Sequence, residues 1–296
     1  MMTMTWMLAA AMAAGTNTQM LERPDGKVAY ELFGADGPWI LCAPGIGDVR
    51  AQYRFLVPLL VEAGYRVVVM DLRGLGESTH EFASYSADAV GDDMVALLNA
   101  LHAEHATVIG NSASAASAVW AAAALPEVVD NIVLIGPFVR QMPAPWYQSA
   151  LLHTAFQGFW GRAAWLQYYG SLYPTHKPDD FAQYKAALSD SLDGRLHVLN
   201  AMLFASKAPC EAKLAEVKAR VLVVMGSKDP DFPSPAAEAD LVATRLHAEV
   251  LMVAGAGHYP HAEMPEQTAP PIIAFLHGAF LHGEVSGEVL GDVHGR

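Results

Sequence analysis

Short runs of Val, Ile and Leu alternate with helical stretches along most of this 296-residue chain. The runs are bounded by Gly and Pro, and the stretches between them carry apolar residues every three or four positions. The predicted strands are 27–33, 39–42, 65–70, 107–110, 131–135, 221–225 and 249–253, and the predicted helices are 53–62, 87–102, 113–124, 236–245 and 265–277. Apolar strands separated by amphipathic helices are typical of a parallel sheet that helices cover on both faces. The pattern therefore predicts an α/β fold with a mostly parallel sheet flanked by helices.

The alternation is interrupted in the second half of the chain, where no strand is predicted and aromatic residues are frequent. Connections between elements usually span 2–6 residues, whereas this one spans about 70. We therefore expect residues 1–137 and 210–296 to form the core, and residues 138–209 to form a helical cap over a site. The cap residues expected to contact an apolar substrate are Trp146, Phe159 and Trp160.

Composition excludes several classes of protein. The chain has 18 Lys and Arg against 31 Asp and Glu, a net charge of −13, so nucleic acids and anionic membrane surfaces are not expected as partners. Hydrophobic residues at 53% and charged residues at 17% favour a large core over a disordered chain. Cys42 and Cys210 match no disulfide framework and no zinc spacing. We expect a small-molecule substrate and neither a metal nor an organic cofactor.

The N-terminal residues 1–20 include the apolar run WMLAAAMAAG, which resembles the core of a signal peptide. No Lys or Arg precedes this run, whereas secretory signals begin with a positive segment. We therefore expect an N-terminal extension, helical or disordered, on a cytoplasmic protein, with export as the alternative. Residues 106–126 are also uncharged, but their Asn and Ser residues predict a strand followed by a helix and not a membrane span.

The segment TVIGNSASAAS, residues 107–117, places a serine between a β-branched strand and an alanine-rich helix. A chain that passes directly from strand to helix turns sharply and raises the hydroxyl of Ser112 above the sheet edge, provided that its neighbours are small. Gly110, Ala113 and Ser114 meet that condition. The segment resembles the G-x-S-x-G nucleophile elbow of the α/β-hydrolase family, with Ser114 in place of the last Gly. A surface turn without chemistry is the alternative interpretation.

A serine nucleophile needs a base, and the base needs a carboxylate that orients it. In the family that this chain resembles, an acid and then a histidine follow the serine along the chain. Asp229 and His258 each follow a predicted strand, so both are expected at the carboxyl edge of the sheet. Asp231 in the same loop is the alternative acid, and His261 is the alternative base.

Acyl transfer also needs N–H donors that stabilise the oxyanion. The resemblance implies two backbone donors, namely Ala113 directly after the serine and Ile46 in the loop after the strand 39–42. This loop reads Pro44-Gly45, where the family often has His-Gly. Proline lacks an N–H, but it does not occupy the donor position. An ordinary Pro-Gly turn is the alternative interpretation of this loop.

Together these residues predict a hydrolase that cleaves carboxylic esters with an apolar acyl or alcohol part, through an acyl-enzyme on Ser112. The same triad could serve lactone hydrolysis, C–C bond hydrolysis or cofactor-free perhydrolysis, which differ in pocket geometry. A ligand sensor that uses the fold without turnover is a third possibility. The intact order of serine, acid and histidine argues against it.

Overall fold

The computed structural model of the protein describes residues 17–142 and 154–278. Its strands are β1 (Gln19–Arg23), β2 (Gly26–Phe33), β3 (Trp39–Ala43), β4 (Arg66–Met70), β5 (Ala106–Asn111), β6 (Val129–Ile135), β7 (Arg220–Gly226) and β8 (Glu249–Val253). Its helices are α1 (Leu56–Glu62), α2 (Ala87–Ala100), α3 (Ser114–Ala124), α4 (Gly161–Ser171), α5 (Phe181–Ser191), α6 (Leu196–Phe204), α7 (Ala208–Glu211), α8 (Pro235–Leu246), α9 (Pro260–Glu263) and α10 (Pro265–Leu276).

The strands form one sheet in the order β1-β2-β4-β3-β5-β6-β7-β8. Strand β2 is antiparallel to both of its neighbours, β1 and β4. The other six strands, β3 to β8, are parallel to one another. The predicted α/β fold with a mostly parallel sheet is therefore confirmed. The parallel strands end at a common edge, where the candidate residues of the sequence analysis are expected.

Both faces of the sheet are buried. Successive residues of β5 show this, because Val108 belongs to the same hydrophobic cluster as residues of α2, α3 and α8, whereas Ile109 belongs to the cluster that contains residues of α1 and α10. A strand that is covered on both sides needs apolar residues at every position and not at alternate ones. This double burial explains why the central strands read as continuous Val and Ile runs.

The N-terminal segment differs from the expectation of an extension over residues 1–20. Residues 19 and 20 belong to β1, which pairs with β2 so that Gln19 lies opposite Tyr30. The Tyr30 hydroxyl donates a hydrogen bond to Gln19 Oε1 at 3.0 Å. Leu21 is the one buried residue of this strand, too few to produce an alternating pattern in the sequence. Residues 1–16 lie outside the described part of the chain.

The predicted helix 53–62 begins later than expected. Residues Arg50–Tyr53 form a 3-10 turn, and α1 begins at Leu56. The backbone N–H of Arg50 donates to the Asp71 carboxylate at 2.8 Å, and the Arg50 guanidinium pairs with the same group. These contacts hold the turn against the loop after β4 and delay the regular helix.

The segment between β6 and β7 contains α4 to α7 and no strand where it is described. Its buried side chains include Trp165, Leu188 and Val198, which belong to the same hydrophobic cluster as residues of the sheet. The helices therefore pack directly onto the core. The boundaries 138 and 209 of a cap domain stay a prediction.

Candidate active site

The carboxyl ends of five parallel strands lie side by side. Ala43 of β3 is in register with Gly110 of β5, and Asn111 of β5 is in register with Ile135 of β6. On the other side, β6 pairs with β7, and Gly226 at the end of β7 is in register with Val253 at the end of β8. The loops that carry Ile46, Ser112, Asp229 and His258 follow four of these strand ends.

Ser112 adopts the strained backbone that is expected of a nucleophile elbow. Its φ is +58°, a left-handed conformation that residues with a Cβ rarely adopt. The turn is fixed on both sides, because Ser112 N–H donates to Ile135 O at 2.8 Å and Phe138 N–H donates to Ser112 O at 3.1 Å. A Cβ on Gly110 would lie 2.3 Å from the backbone oxygen of Ser114, so glycine is needed where the helix folds back on the strand.

The imidazole of His258 is paired with the carboxylate of Asp229. Nδ1 of the imidazole lies 2.7 Å from Oδ2 of Asp229, and both side chains are buried. This contact assigns the Nδ1 proton to the bond with the carboxylate and leaves Nε2 as an acceptor in the neutral ring. Nε2 is buried and has no hydrogen-bond partner among the described residues. An orphaned basic nitrogen at this position is available to take a proton from a nucleophile.

Glycine at position 136 makes room for this imidazole. Gly136 follows β6 with φ of +52°, and a Cβ there would lie 2.9 Å from Nδ1 and Cε1 of His258. The sequence analysis did not single out Gly136. Its isolated position after a predicted strand offered no signal beyond an ordinary turn.

Asp231 is a second carboxylate beside the histidine. Its Oδ2 lies 3.6 Å from His258 Nδ1, which is too long for a hydrogen bond but close enough for electrostatic interaction. Tyr168 of α4 donates its hydroxyl to Asp231 Oδ1 at 2.6 Å. The loop turn itself is made by Asp229, whose Oδ1 accepts the N–H of Asp231 at 3.0 Å. The distances favour Asp229 as the orienting acid and connect Asp231 to the helical segment.

The two carboxylates change the basicity of the ring. Burial of His258 lowers its pKa, but the negative charges of Asp229 and Asp231 and the hydrogen bond to Asp229 outweigh burial and raise the pKa to about 9. Burial also raises the pKa of Asp231, against the opposing effect of His258. The imidazole is therefore a stronger base than a free histidine.

Ile46 and Ala113 are the residues whose backbone N–H groups the resemblance implies as donors. Neither backbone N–H donates to another of the described residues, although both residues line the same narrow cleft. Ser114 adds a contact that its small size did not predict, because its hydroxyl donates to Pro44 O at 2.5 Å. The residue that stands in place of the last Gly of the elbow thus ties the start of α3 to the loop that carries Ile46.

A buried amide network joins three of the site's loops. Gln52 Oε1 accepts the N–H of Gly45 at 3.0 Å, and Gln52 Nε2 donates to Asn111 Oδ1 at 2.8 Å. Asn111 Nδ2 in turn donates to the backbone oxygens of Ile135 and His258, at 3.0 and 3.3 Å. The network fixes the loop after β3, the turn at Ser112 and the loop that carries His258 relative to one another. Sequence analysis missed Gln52 because its partner Asn111 is 59 positions away.

His261, the alternative base, belongs to this network and not to the reaction centre. Its Nε2 lies 3.1 Å from Gln52 Nε2, so it accepts from the amide, and its ring stacks on Tyr53 at 4.9 Å between centroids. Burial lowers the pKa of His261 to about 3, with smaller contributions from His258 and Arg54. The ring therefore stays neutral and is engaged as an acceptor.

The helical segment contacts the site through polar as well as apolar groups. His258 N–H donates to the backbone oxygen of Leu172 at 3.0 Å, which ties the histidine loop to the end of α4. Asp48, in the loop after β3, is fully buried and accepts the hydroxyl of Tyr169 at 3.0 Å and that of Tyr184. Burial raises the pKa of Asp48 to about 6, although these hydrogen bonds lower it. Asp48 therefore anchors the loop after β3 to α4 and α5.

Of the three cap residues expected to contact substrate, Phe159 and Trp160 do not line the cleft beside Ala113. They pack against each other at 4.9 Å between ring centroids and are 92% and 48% exposed. Trp146 lies outside the described residues. The cleft is lined instead by the apolar residues Leu72, Val90 and Met202, together with Lys207. The sequence analysis identified aromatic residues by their frequency, which does not report the direction in which a side chain points.

A metal ion is one further occupant that the side chains could accept. Donor atoms of Asp229, Asp231 and His258 lie within 4.8 Å of one another. The hydrogen bond between Asp229 and His258 already accounts for the closest of these contacts, so we interpret the cluster as a histidine with two acids. Among residues 17–142 and 154–278, no helix has the length and apolar character needed to cross a membrane.

Comparison with known proteins agrees with the fold. A family model described as the alpha/beta hydrolase fold matches residues 38–265. A 2-(acetamidomethylene)succinate hydrolase of Mesorhizobium japonicum is 28% identical over 250 residues, covering 81% of this chain and 88% of that protein. The 3-oxoadipate enol-lactonase 2 of Acinetobacter baylyi is 23% identical, covering 83% and 91%. The crystal structure of a bromoperoxidase from Bacillus anthracis superposes with a TM-score of 0.74 at 19% identity, covering 88% and 100%.

Proposed function

The chain belongs to the α/β-hydrolase fold family, and on that premise we propose that it is a serine hydrolase that cleaves carboxylic esters through an acyl-enzyme. The family match covers residues 38–265 and supports hydrolytic chemistry of some kind. The more specific proposal rests on one observation. A serine with φ of +58° lies in the same loop cluster as a buried histidine whose Nδ1 is 2.7 Å from Asp229.

The proposed reaction has two halves, acylation of the serine and hydrolysis of the acyl-enzyme, and the histidine and the carboxylate act in both. Ser112 Oγ attacks the carbonyl carbon while its proton moves to Nε2 of His258, and Asp229 holds the imidazolium that forms. The N–H groups of Ile46 and Ala113 stabilise the oxyanion, a contribution worth about 2.7–4 kcal/mol for each donor. The alcohol leaves with the proton from His258. Water then attacks the acyl-enzyme by the same route and releases the acid.

The narrow apolar cleft supports an ester with an apolar part next to the carbonyl. The residues named above as donors lie on its wall with Leu72, Val90 and Met202. An apolar chain in the cleft would be held by contact area, and the polar donors would fix the orientation of the carbonyl. We propose a small or medium-sized ester, because the cleft is narrow.

Lactone hydrolysis is the second candidate, since a lactone is an internal ester and needs no further group. The name of the Acinetobacter baylyi relative supports it, because that protein is an enol-lactonase. The Mesorhizobium japonicum relative is named as a hydrolase of a substituted succinate. In both cases the oxyanion donors and the base would act as in ester cleavage.

Turnover of a substrate panel by the wild type and Ser112→Ala proteins tests the proposal. The panel contains p-nitrophenyl esters of increasing acyl length, simple lactones and β-diketones. We expect turnover of esters that is lost in Ser112→Ala. Faster turnover of lactones or β-diketones than of every ester would replace ester cleavage with the corresponding reaction. No turnover of any member would instead favour a ligand sensor.

A further inference from the structure

Lys207 stands at the wall of the cleft that adjoins the proposed oxyanion hole. It follows α6 and precedes α7, and its backbone N–H donates to Gln141 Oε1 at 3.0 Å. Ile46, Ala113 and Ser114 line the same cleft. Among the described residues that form this wall, Lys207 is the one with a charged side chain. The charged residue of this wall therefore adjoins the space that we assign to the acyl chain.

The charge of Lys207 is uncompensated within the described parts of the chain. No carboxylate of these residues lies within 4 Å of its Nζ, and the group instead lies 6.0 Å from the centre of the Phe138 ring. Lys213 offers a contrast, because its Nζ is also 6.0 Å from an aromatic ring, that of Trp120, but pairs with Glu216 at 2.8 Å. A half-buried ammonium without a counter-charge is unusual, because burial penalises the charged form.

A second path of contacts places Lys207 near the reacting groups. The Phe138 ring lies 6.0 Å from the ring of His258, centroid to centroid, and the Phe138 N–H donates to the backbone oxygen of Ser112. Lys207 is thus one aromatic ring away from the proposed base on one side, and shares a cleft with the oxyanion donors on the other. These two observations are independent. The contact with Phe138 involves the residues after β6, whereas the shared cleft involves the loop after β3.

We infer that Lys207 binds a carboxylate of the substrate, so that the preferred acyl part is an apolar chain that ends in an acid group. The inference rests on the proposed function and adds a substrate class to it, namely half-esters of dicarboxylic acids and their lactone equivalents. The carboxylate takes no part in bond cleavage. It binds to the ammonium while the ester carbonyl lies against the donors of Ile46 and Ala113.

Binding of such a substrate depends on two opposing electrostatic effects, the repulsion by the net negative charge of the protein and the attraction by Lys207. The chain carries a net charge of −13, which repels anions at long range, but salt screens that repulsion beyond about 10 Å at moderate ionic strength. The direct contact with an ammonium in a half-buried cleft is screened much less. Burial also lowers the pKa of Lys207, and a bound carboxylate would oppose that shift by favouring the charged amine.

Paired substrates that differ in one charge test the inference. The mono-p-nitrophenyl esters of succinate, glutarate and adipate are compared with p-nitrophenyl butanoate, pentanoate and hexanoate, and the ratio of kcat/KM for charged over neutral ester is measured at each chain length. We expect this ratio to exceed one for at least one chain length in the wild type. Lys207→Met should lower it by about tenfold or more, the size expected for a charge-assisted hydrogen bond.

Two variants control for the substitution. Lys207→Arg keeps the cation and should retain most of the preference. Lys213→Met removes a lysine that also lies 6.0 Å from an aromatic ring but does not line the cleft, and it should leave the ratio as in the wild type. The thermal unfolding midpoint is recorded for each protein to verify that it folds. A ratio below one at every chain length in the wild type, or an equal ratio in Lys207→Met, would overturn the inference while ester turnover still supports the proposed function.

A binding measurement keeps the inference testable if no ester is turned over. Isothermal titration calorimetry with Ser112→Ala protein compares monomethyl glutarate with methyl pentanoate. We expect the anion to bind about tenfold more tightly, and the difference to disappear in the double variant Ser112→Ala, Lys207→Met. Equal affinities for the anion and the neutral ester would rule out a carboxylate site at Lys207.

Discussion

Nδ1 of His258 lies 2.7 Å from Oδ2 of Asp229, and the same nitrogen lies 3.6 Å from Oδ2 of Asp231. One carboxylate therefore forms the hydrogen bond that orients the ring, and the other contributes charge without a bond. This difference of distance gives the two acids separate roles. Asp229 sets the tautomer of the His258 ring, and Asp231 helps to raise the pKa of the ring and accepts a hydrogen bond from Tyr168.

Exchanging each acid for its amide separates these roles. Asp229→Asn should lower kcat by up to about 10⁴, because an amide can hold the imidazole in the wrong tautomer. Asp231→Asn should cost less than about tenfold, since it removes no hydrogen bond to the ring. Steady-state kinetics on a p-nitrophenyl ester measures both. The reverse order of effects would assign the orienting role to Asp231.

The pH profile follows from the charge around His258. In the proposed reaction the ring acts as a base in its neutral form. The value of kcat/KM should therefore rise as pH increases and the ring loses its proton, and level off above its pKa of about 9. Asp231→Asn removes one of the negative charges that raise this pKa, and the rising limb should move to lower pH. A profile of kcat/KM for a neutral ester checks the shift. A limb at the same pH in both proteins would show that Asp231 has no electrostatic effect on the base.

Gly136 provides a steric test of the histidine's position. In Gly136→Ala, the added Cβ would lie 2.9 Å from the His258 ring, and we expect a loss in kcat on the order of 10², typical of a misplaced catalytic group. Gly194→Ala is the matched control, because Gly194 has φ of +70° and nothing within 4 Å of the added Cβ. Both variants should lose about 1 kcal/mol of stability through the left-handed backbone. A similar loss of kcat in both would show that backbone strain, and not contact with His258, is responsible.

Met202 should control acyl selectivity more than the exposed aromatic residues do. Its side chain is buried and lines the cleft, so Met202→Ala should shift the preferred acyl chain by about 1–3 kcal/mol per lost contact. Phe159→Ala should leave the preference unchanged, because this ring is 92% exposed and does not line the cleft. The ratio of kcat/KM along an ester series measures the effect. A shift in Phe159→Ala without one in Met202→Ala would place the acyl chain elsewhere.

The sequence predicted the elements that depend on local pattern. The apolar runs located the parallel strands, and the strand-to-helix junction at Ser112 located a turn whose positive φ the structure shows. Asp229 and His258 could be located because each follows a strand, and parallel strands end at one edge. These predictions need only the spacing of apolar residues along the chain and the rule that parallel strands end at one edge of the sheet.

Contacts between distant segments could not be predicted in this way. Gln52 bridges Gly45, Asn111 and His261, and no local pattern marks it as a partner of the elbow. The hydrogen bond of Tyr168 to Asp231 spans 63 positions, and it depends on how α4 packs on the core. The periodicity of a sequence also does not predict where a side chain points in an irregular segment. For this reason Phe159 was expected at the site, although it lies at the surface.

The attachment point of a serine-directed fluorophosphonate tests the acyl-enzyme most directly. Peptide mass spectrometry of the wild type should show one phosphonyl adduct on Ser112, and Ser112→Ala should show none and lose about 10⁶ in kcat. Ser114→Ala should still be labelled at Ser112 and lose at most about tenfold, because it forfeits only the hydrogen bond to Pro44. An adduct on Ser114 or Ser117, or full activity in Ser112→Ala, would contradict the account.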